Sequence, residues 1–478
     1  MNYGIIFYVI GWVLNFEAAF MLPSCITAFV YHEREGLALA AVAAVSLLAG
    51  LLIIRKKPKS MSMYAREGFV TVALCWIIMS AVGALPFVLA GAIPSYIDAI
   101  FETVSGFTTT GSSILPEVES MAHCLLFWRS FTHWIGGMGV LVFVMAVLPL
   151  AGGTNMYMMK AESPGPSVGK LVPRVKRTAV ILYGMYVGLS ILQLVFLLAG
   201  KMPVFDALVT MFGTAGTGGF GIKNDSMGSY SPYIQWVVTV FMILFGVNFN
   251  LYYLLLKKKW KSAASSTEVR VYFSIILISI ALITVNIAPL FSNIWESLRH
   301  AAFQVGTIIT TTGFATTDFD LWPSFSKTIL VLLMFIGACA GSTGGGIKVS
   351  RIVILFKSIQ KELDVIAHPH NVKKLKMDGR MIEHSVLRSV NVFIVSYVMV
   401  FAVSVLLIAI DNFDFTTNFT AVAATMNNIG PGLAMVGPTQ NFGMFSDFSK
   451  VVLIIDMLAG RLELFPLLIL FARDTWTK

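Results

Sequence analysis

Four short stretches of this sequence combine threonine and glycine in the same order, each behind an apolar run. Phe101–Ser112 reads FETVSGFTTTGS, Thr210–Phe220 reads TMFGTAGTGGF, Phe303–Phe314 reads FQVGTIITTTGF and Thr420–Pro431 reads TAVAATMNNIGP. They align on Gly111, Gly219, Gly313 and Gly430, at intervals far longer than solenoid periods. The chemistry such stretches can do is dehydration of a cation. An ion crossing a bilayer exchanges its water shell for fixed oxygens, and non-helical backbone is tolerated at membrane depth only where it lines a cavity or is buried in protein. Glycine permits positive φ, which lets successive carbonyls turn toward an axis. The residues before it can add side-chain oxygens. The candidate ion-contacting residues are Thr109, Thr110 and Gly111; Thr217, Gly218 and Gly219; Thr311, Thr312 and Gly313; and Asn428, Ile429 and Gly430. None is a carboxylate, so the ring suits a weakly hydrated monovalent cation rather than a divalent one.

Two further features share the membrane depth below these loops. The stretch GACAGSTGGGIKVSR (337–351) carries Gly341, Ser342, Thr343, Gly344, Gly345 and Gly346, which should interrupt a helix near mid-membrane and form a movable gate. Close helix packing by small residues is the alternative. A phosphate-binding loop is excluded because no GK[ST] follows the glycines. In AGRLELFP (459–466), Arg461 sits in an apolar helix at about the depth of the glycine cluster. It either impedes cations below the loops or forms a structural ion pair with Glu463 or Asp456.

The elements that position these residues follow from composition. Of 478 residues, 57% are hydrophobic and 12% charged, with mean hydropathy +0.80. Soluble domains carry about twice that charge fraction. Apolar runs long enough to cross a bilayer recur from end to end, so the chain reads as an all-α polytopic membrane protein. The N-terminal run has no basic residues before it and reads as a retained helix. Cys25, Cys75, Cys124 and Cys339 all lie in apolar runs and imply neither a disulfide nor a zinc site.

The expected organisation is two extra transmembrane helices (1–67) followed by four tandem helix–pore loop–helix repeats in pseudo-four-fold arrangement. The repeats occupy 68–150, 178–256, 270–357 and 388–478, joined by linkers at 151–177, 257–269 and 358–387. In each, a spanning helix precedes a pore helix too short to span, the Thr/Gly loop, and a second spanning helix (122–150, 232–256, 325–357 and 446–472). The net charge of +9 is concentrated in RKKPK, in the 151–177 and 358–387 linkers and in KKKWK, all on one side if each repeat crosses twice. The positive-inside rule makes that side cytoplasmic, pointing to membrane lipid and not nucleic acid as the contact. The loops then enter from outside, beside Glu117, Glu119, Asp225, Asp318, Asp320 and Asp447, which either form an acidic mouth that concentrates cations or are ordinary polar loop tips. No paired carboxylates, His–Glu metal motif or nucleophile–base pair lies within the spans, which argues against an enzyme.

With FTTTGSS, GTAGTGGFG, TTTGFATTDFD, GSTGGGIKVSR, NNIGPG and GRLELFP in view, the chain resembles the Trk/Ktr/HKT superfamily of potassium transporters, and within it the bacterial TrkH-type membrane subunits. The resemblance covers essentially the whole chain. It implies a K+ selectivity filter at the four glycines, a gating loop at 341–346, a pore-facing Arg461, and a homodimer in the bacterial inner membrane. It also implies a cytosolic TrkA-type partner that binds NAD or ATP/ADP; no cofactor is implied on this chain. Gly216 stands where members of that family often carry serine. Potassium over sodium comes from the resemblance, and a sodium-permeable or proton/sodium-coupled cation symporter on the same scaffold stays open.

Overall fold

A computed structural model describes residues 1–60, 63–139, 175–368 and 375–476. Two long apolar helices, α1 (Tyr3–Tyr31) and α2 (Gly36–Ile54), pack along each other as a hairpin. Then come α3 (Ala65–Leu89), the short α4 (Tyr96–Phe107) and α5 (His123–Gly137). After these follow α6 (Val175–Ala199), α7 (Val204–Gly216), α8 (Pro232–Phe245), α9 (Phe249–Leu256) and α10 (Trp260–Ala264). The third group is α11 (Thr267–Ile287), α12 (Ile294–Ile309), α13 (Ser324–Ile336) and α14 (Val349–Ala367). The last is α15 (His384–Ile408), α16 (Phe415–Met426), α17 (Asp447–Arg461) and α18 (Phe465–Phe471). Among the described residues, six helices are long and apolar enough to cross a membrane: α1, α2, α3, α6, α11 and α15. The chain is a multi-pass membrane protein.

The short helices α4, α7, α12 and α16 are buried at their C-terminal ends, where aromatic and small residues meet the core. Three of them, α4, α12 and α16, start at side-chain caps. Asn293 Oδ1 accepts from Glu296 N at 2.9 Å and Asp414 Oδ2 from Thr417 N at 3.0 Å, satisfying N–H groups the helix itself leaves open.

The expected second spanning helices are not continuous. The axis turns by 90° between α8 and α9, across Gly246–Asn248. The third is broken from Gly337, with φ of 72°, to Lys348, wider than the 341–346 expected. The fourth stops at Arg461 and restarts at Phe465, with Glu463 and Leu464 both at positive φ. The first ends at Gly137; residues 140–150 and most of the 151–177 linker lie outside the described residues, as do Lys160, Lys170, Arg174, Lys373 and Lys374. A glycine contact with a short helix stands beside the breaks in the first, third and fourth. A Cβ on Gly136 would overlap Phe107 O, on Gly344 Thr310 O, and on Gly460 Met426 O. These three helices are thus pressed against a short helix's C-terminal carbonyls, where a straight, bulkier helix has no room; in the second, a Cβ on Gly246 would instead meet Tyr272 Oη and Thr310 Cγ2.

One feature departs from all-α. In the 358–387 linker, Lys376–Met377 pairs antiparallel with Arg380–Met381, Lys376 opposite Met381. The turn is Asp378-Gly379, both at positive φ, the dipeptide that favours a two-residue hairpin. Contacts at chain ends join the linkers: Asn2 Nδ2 donates to Ser60 O, Arg66 Nη1 to Asp474 O, and Thr267 N to Asp378 Oδ1.

Candidate ion-conducting site

Each short helix ends in the same way. Thr109, Thr217, Thr311 and Asn428 have φ of 56°, 57°, 57° and 54°, a left-handed conformation that is uncommon for threonine. The next residue's N–H closes back on the helix: Thr110 N to Ser105 O at 2.9 Å, Gly218 N to Gly213 O at 2.8 Å, Thr312 N to Thr307 O at 2.8 Å, and Ile429 N to Ala424 O at 2.8 Å. This is the Schellman closure of a helix C-terminus, present four times at equivalent positions. Two residues after the left-handed turn come Gly111, Gly219, Gly313 and Gly430, at φ of 82°, 76°, 89° and 104°. Only glycine adopts that conformation without a Cβ penalty.

The four loops also touch in cyclic order. A Cβ on Gly111 would overlap Gly218 O, one on Gly219 would overlap Thr312 O, one on Gly313 would overlap Ile429 O, and one on Gly430 would come within 3.0 Å of Thr110 O. Each glycine therefore packs against the carbonyl of the next loop, and the fourth returns to the first. All four glycines face a cavity of about 150 Å³ lined by loop residues including Ser112, Phe220 and Pro431. Of the twelve candidate residues, the four glycines line this cavity and Thr110, Gly218, Thr312 and Ile429 supply the carbonyls against them, while Thr109, Thr217, Thr311 and Asn428 form the left-handed turns before them.

The threonine side-chain oxygens have protein partners. Thr110 Oγ1 pairs with Thr108 Oγ1 at 2.8 Å and accepts from Asn428 Nδ2 at 2.8 Å; Thr312 Oγ1 pairs with Thr310 Oγ1 at 2.8 Å. Thr217 Oγ1 donates to Gly216 O at 2.6 Å, and Thr311 Oγ1 accepts from Gly345 N at 2.6 Å. Asn428 Oδ1, by contrast, is buried with no hydrogen-bond partner among the described residues.

Below the ring, the 337–348 loop is held by its neighbours. Phe249 N donates to Gly341 O at 3.0 Å, Cys339 N to Gly246 O at 3.0 Å, and Gly346 N to Asn427 O at 3.1 Å. Thr343 Oγ1 donates to Phe245 O at 3.2 Å, while Ser342 Oγ turns back to Cys339 O at 2.6 Å. Lys348, buried, donates to Gly344 O. Arg461 reaches across the same level: Nη1 donates to Thr343 O at 3.0 Å and Thr109 Oγ1 at 3.4 Å, and Nη2 to Gly137 O at 2.9 Å and to Gly136 O. Its suggested acidic partners are engaged elsewhere. Glu463 binds Arg351 through two bonds of 2.9 and 2.6 Å, and Asp456 Oδ1 accepts from Ser404 Oγ at 2.6 Å.

Three of the outer acids take part in loop structure. Glu119 accepts from Asn224 N at 3.0 Å, Asp318 from Asp320 N at 3.0 Å, and Asp320 lies 3.7 Å from Lys327 Nζ. Sequence reasoning missed a buried ion pair behind the first loop, Arg129 Nε to Glu102 Oε1 at 2.6 Å. It also missed Asp98–Lys450 at 2.5 Å, which ties α4 to α17. Neither pair has a spacing that marks it, since 27 and 352 residues separate the partners.

The sequence profile of the TrkH family, described as a cation transport protein, matches residues 37–477. This chain belongs to the TrkH family. It is 37% identical to the Trk system potassium uptake protein TrkH of Salmonella typhimurium and 36% to that of Escherichia coli K12, over the full length of both chains in each case. The E. coli Trk system potassium uptake protein TrkG is 31% identical over 99% of this chain and 98% of that protein. The crystal structure of the potassium transporter TrkH from Vibrio parahaemolyticus superposes with a TM-score of 0.89, at 33% identity and full coverage of both chains. The cyclic ring therefore sits in a TrkH-family membrane protein, not an enzyme.

Proposed function

We propose that the ring of Thr110, Gly218, Thr312 and Ile429 carbonyls and their following glycines is a K+ selectivity filter, built by four helix–pore loop–helix repeats in pseudo-four-fold arrangement. The chain is a potassium uptake protein of the Trk type. The observation that carries the filter reading is the closed cycle of glycine-to-carbonyl contacts, repeated with the same Schellman closure in every loop. The short helices aim their carbonyl ends at the ring, adding partial negative charge where a desolvated cation would sit. Transport is driven by the membrane potential, which supplies about 2.3 kcal/mol per charge at 100 mV.

The 341–346 segment with Arg461 is the gate. A guanidinium bridging Thr343, Gly137 and Thr109 stands in the path of an ion leaving the ring. Opening requires the loop to release Phe245, Asn427 and Thr311. The Trk-system names of the relatives support a cytosolic TrkA-type partner, which would carry NAD or ATP/ADP and act on the cytoplasmic linkers of a homodimer in the bacterial inner membrane. The test is flux of K+, Rb+, Na+ and Li+ into liposomes holding the purified protein, with and without a proton gradient. Saturating, proton-independent K+ and Rb+ flux with weak Na+ flux is expected. Flux that needs protons or favours Na+ would replace the channel-like reading with a coupled or sodium-permeable one.

A further inference from the structure

The second loop is gripped from outside its own repeat. Arg129 and His133 stand one turn apart on α5 and hold the Phe220 ring between them. The Arg129 guanidinium lies 3.5 Å from the ring centroid, and the His133 and Phe220 centroids are 4.2 Å apart. Both residues also bond the backbone. His133 Nε2 accepts from Phe220 N at 3.2 Å while Nδ1 donates to Gly106 O at 2.7 Å, and Arg129 Nη1 donates to Gly221 O at 3.1 Å. Because Nε2 accepts, the imidazole is the neutral Nδ1–H tautomer. Arg129 is oriented by the buried Glu102, which also accepts from Ser113 Oγ at 2.9 Å and Ile114 N at 3.0 Å.

The Phe220 N–H belongs to the same peptide unit as the Gly219 carbonyl. A trans peptide is planar, and its C=O and N–H point in opposite directions. Anchoring the N–H on His133 therefore fixes where the Gly219 oxygen points, away from the imidazole. We propose that His133 is a positioning residue for the Gly219 carbonyl, and that K+ is favoured over Na+ in part because this side chain of the first repeat clamps the filter backbone of the second. The inference rests on the filter reading. Selectivity by cavity size and selectivity by carbonyl field strength both require such orientation to be held. A site whose supporting shell is loose by about 1 Å loses function even with every ligand present.

The test separates the two nitrogens. His133→Asn keeps a donor near Gly106 and withdraws the acceptor from Phe220, while His133→Gln places an amide oxygen at the Nε2 end. In proteoliposomes with matched amounts of monodisperse protein, His133→Asn should lower the K+/Na+ uptake ratio by about fivefold, the equivalent of one neutral hydrogen bond, and His133→Gln should hold it within about twofold of wild type. A ratio unchanged in His133→Asn, or equal losses of total flux in both variants at constant ratio, overturns the proposal. Gly313→Ser is measured alongside. If it changes the ratio while His133→Asn does not, only the positioning role falls; if neither changes it, the filter reading falls with it. Should His133→Asn not assemble, Arg129→Lys, which keeps the charge beside Glu102 but shortens the reach to Gly221 O, carries the same expectation: a lowered ratio supports the clamp and an unchanged one overturns it.

Discussion

Replacing Arg461 should open the pore. Its guanidinium bonds Thr343 O at 3.0 Å and Gly137 O at 2.9 Å and touches Thr109 Oγ1; in the proposed gate it both holds the loop shut and places a positive charge under the ring. Two unit charges about 4 Å apart repel by about 4 kcal/mol at an effective dielectric of about 20. At about 1.4 kcal/mol per decade, that caps the gain in flux near a thousandfold. Water admitted by the smaller side chain, and the loop bonds that do not involve Arg461, reduce it. A rise of about tenfold or more is expected for Arg461→Gln. Arg461→Lys keeps the charge but loses the planar fork, and should fall between the two. The assay is Rb+ uptake into proteoliposomes without any partner protein, normalised to monodisperse protein of matched melting temperature. Flux at or below wild type in Arg461→Gln would refute the reasoning and leave Arg461 as a brace.

Three further outcomes follow from other contacts. Gly313→Ala places a Cβ against Ile429 O at φ of 89°, and should lower K+ uptake at least tenfold while the protein still purifies as a folded species. Glu102→Gln leaves the buried Arg129 charge uncompensated, a loss of about 3–5 kcal/mol that thermal unfolding in detergent should report, whereas replacing both partners by apolar residues should cost less. Glu33, in the turn between α1 and α2, caps α5: burial opposes its charge, but bonds from Cys124 N at 2.8 Å and His123 N at 2.7 Å hold the carboxyl below its usual range. Its folded value lies below its unfolded one, so its contribution is present above about pH 4.3 and is lost as pH falls through the folded value. The melting-temperature gap between wild type and Glu33→Gln, wild type higher at pH 7, should close on acidification; a constant gap contradicts the cap.

The site was legible where the sequence repeats itself. Gly111, Gly219, Gly313 and Gly430 each require positive φ in four separate places, and that shared demand survives divergence of the surrounding residues. Arg461 was legible as a charge in an apolar helix, but its acceptors were not, because they are the backbone carbonyls of Thr343, Gly136 and Gly137 and the distant Thr109 hydroxyl. The helix breaks were read only where glycines cluster. Gly246 and Gly460 are single glycines; the break after Gly460 lies where the helix meets Met426 O of the neighbouring short helix, and the one at Gly246 where a Cβ would meet Tyr272 Oη and Thr310 Cγ2. The threonine hydroxyls read as ligands, yet Thr110 and Thr312 bond Thr108 and Thr310 two residues away. The hairpin at 376–381 carried its signal in Asp378-Gly379 and sat unread in a linker.

The most direct test of the filter is the position of a heavy monovalent cation. Crystals of the protein grown in Rb+ or Tl+ should show anomalous density inside the ring, shared by the carbonyls of Thr110, Gly218, Thr312 and Ile429. Density absent from the ring and present instead at a carboxylate such as Asp456 would contradict the account.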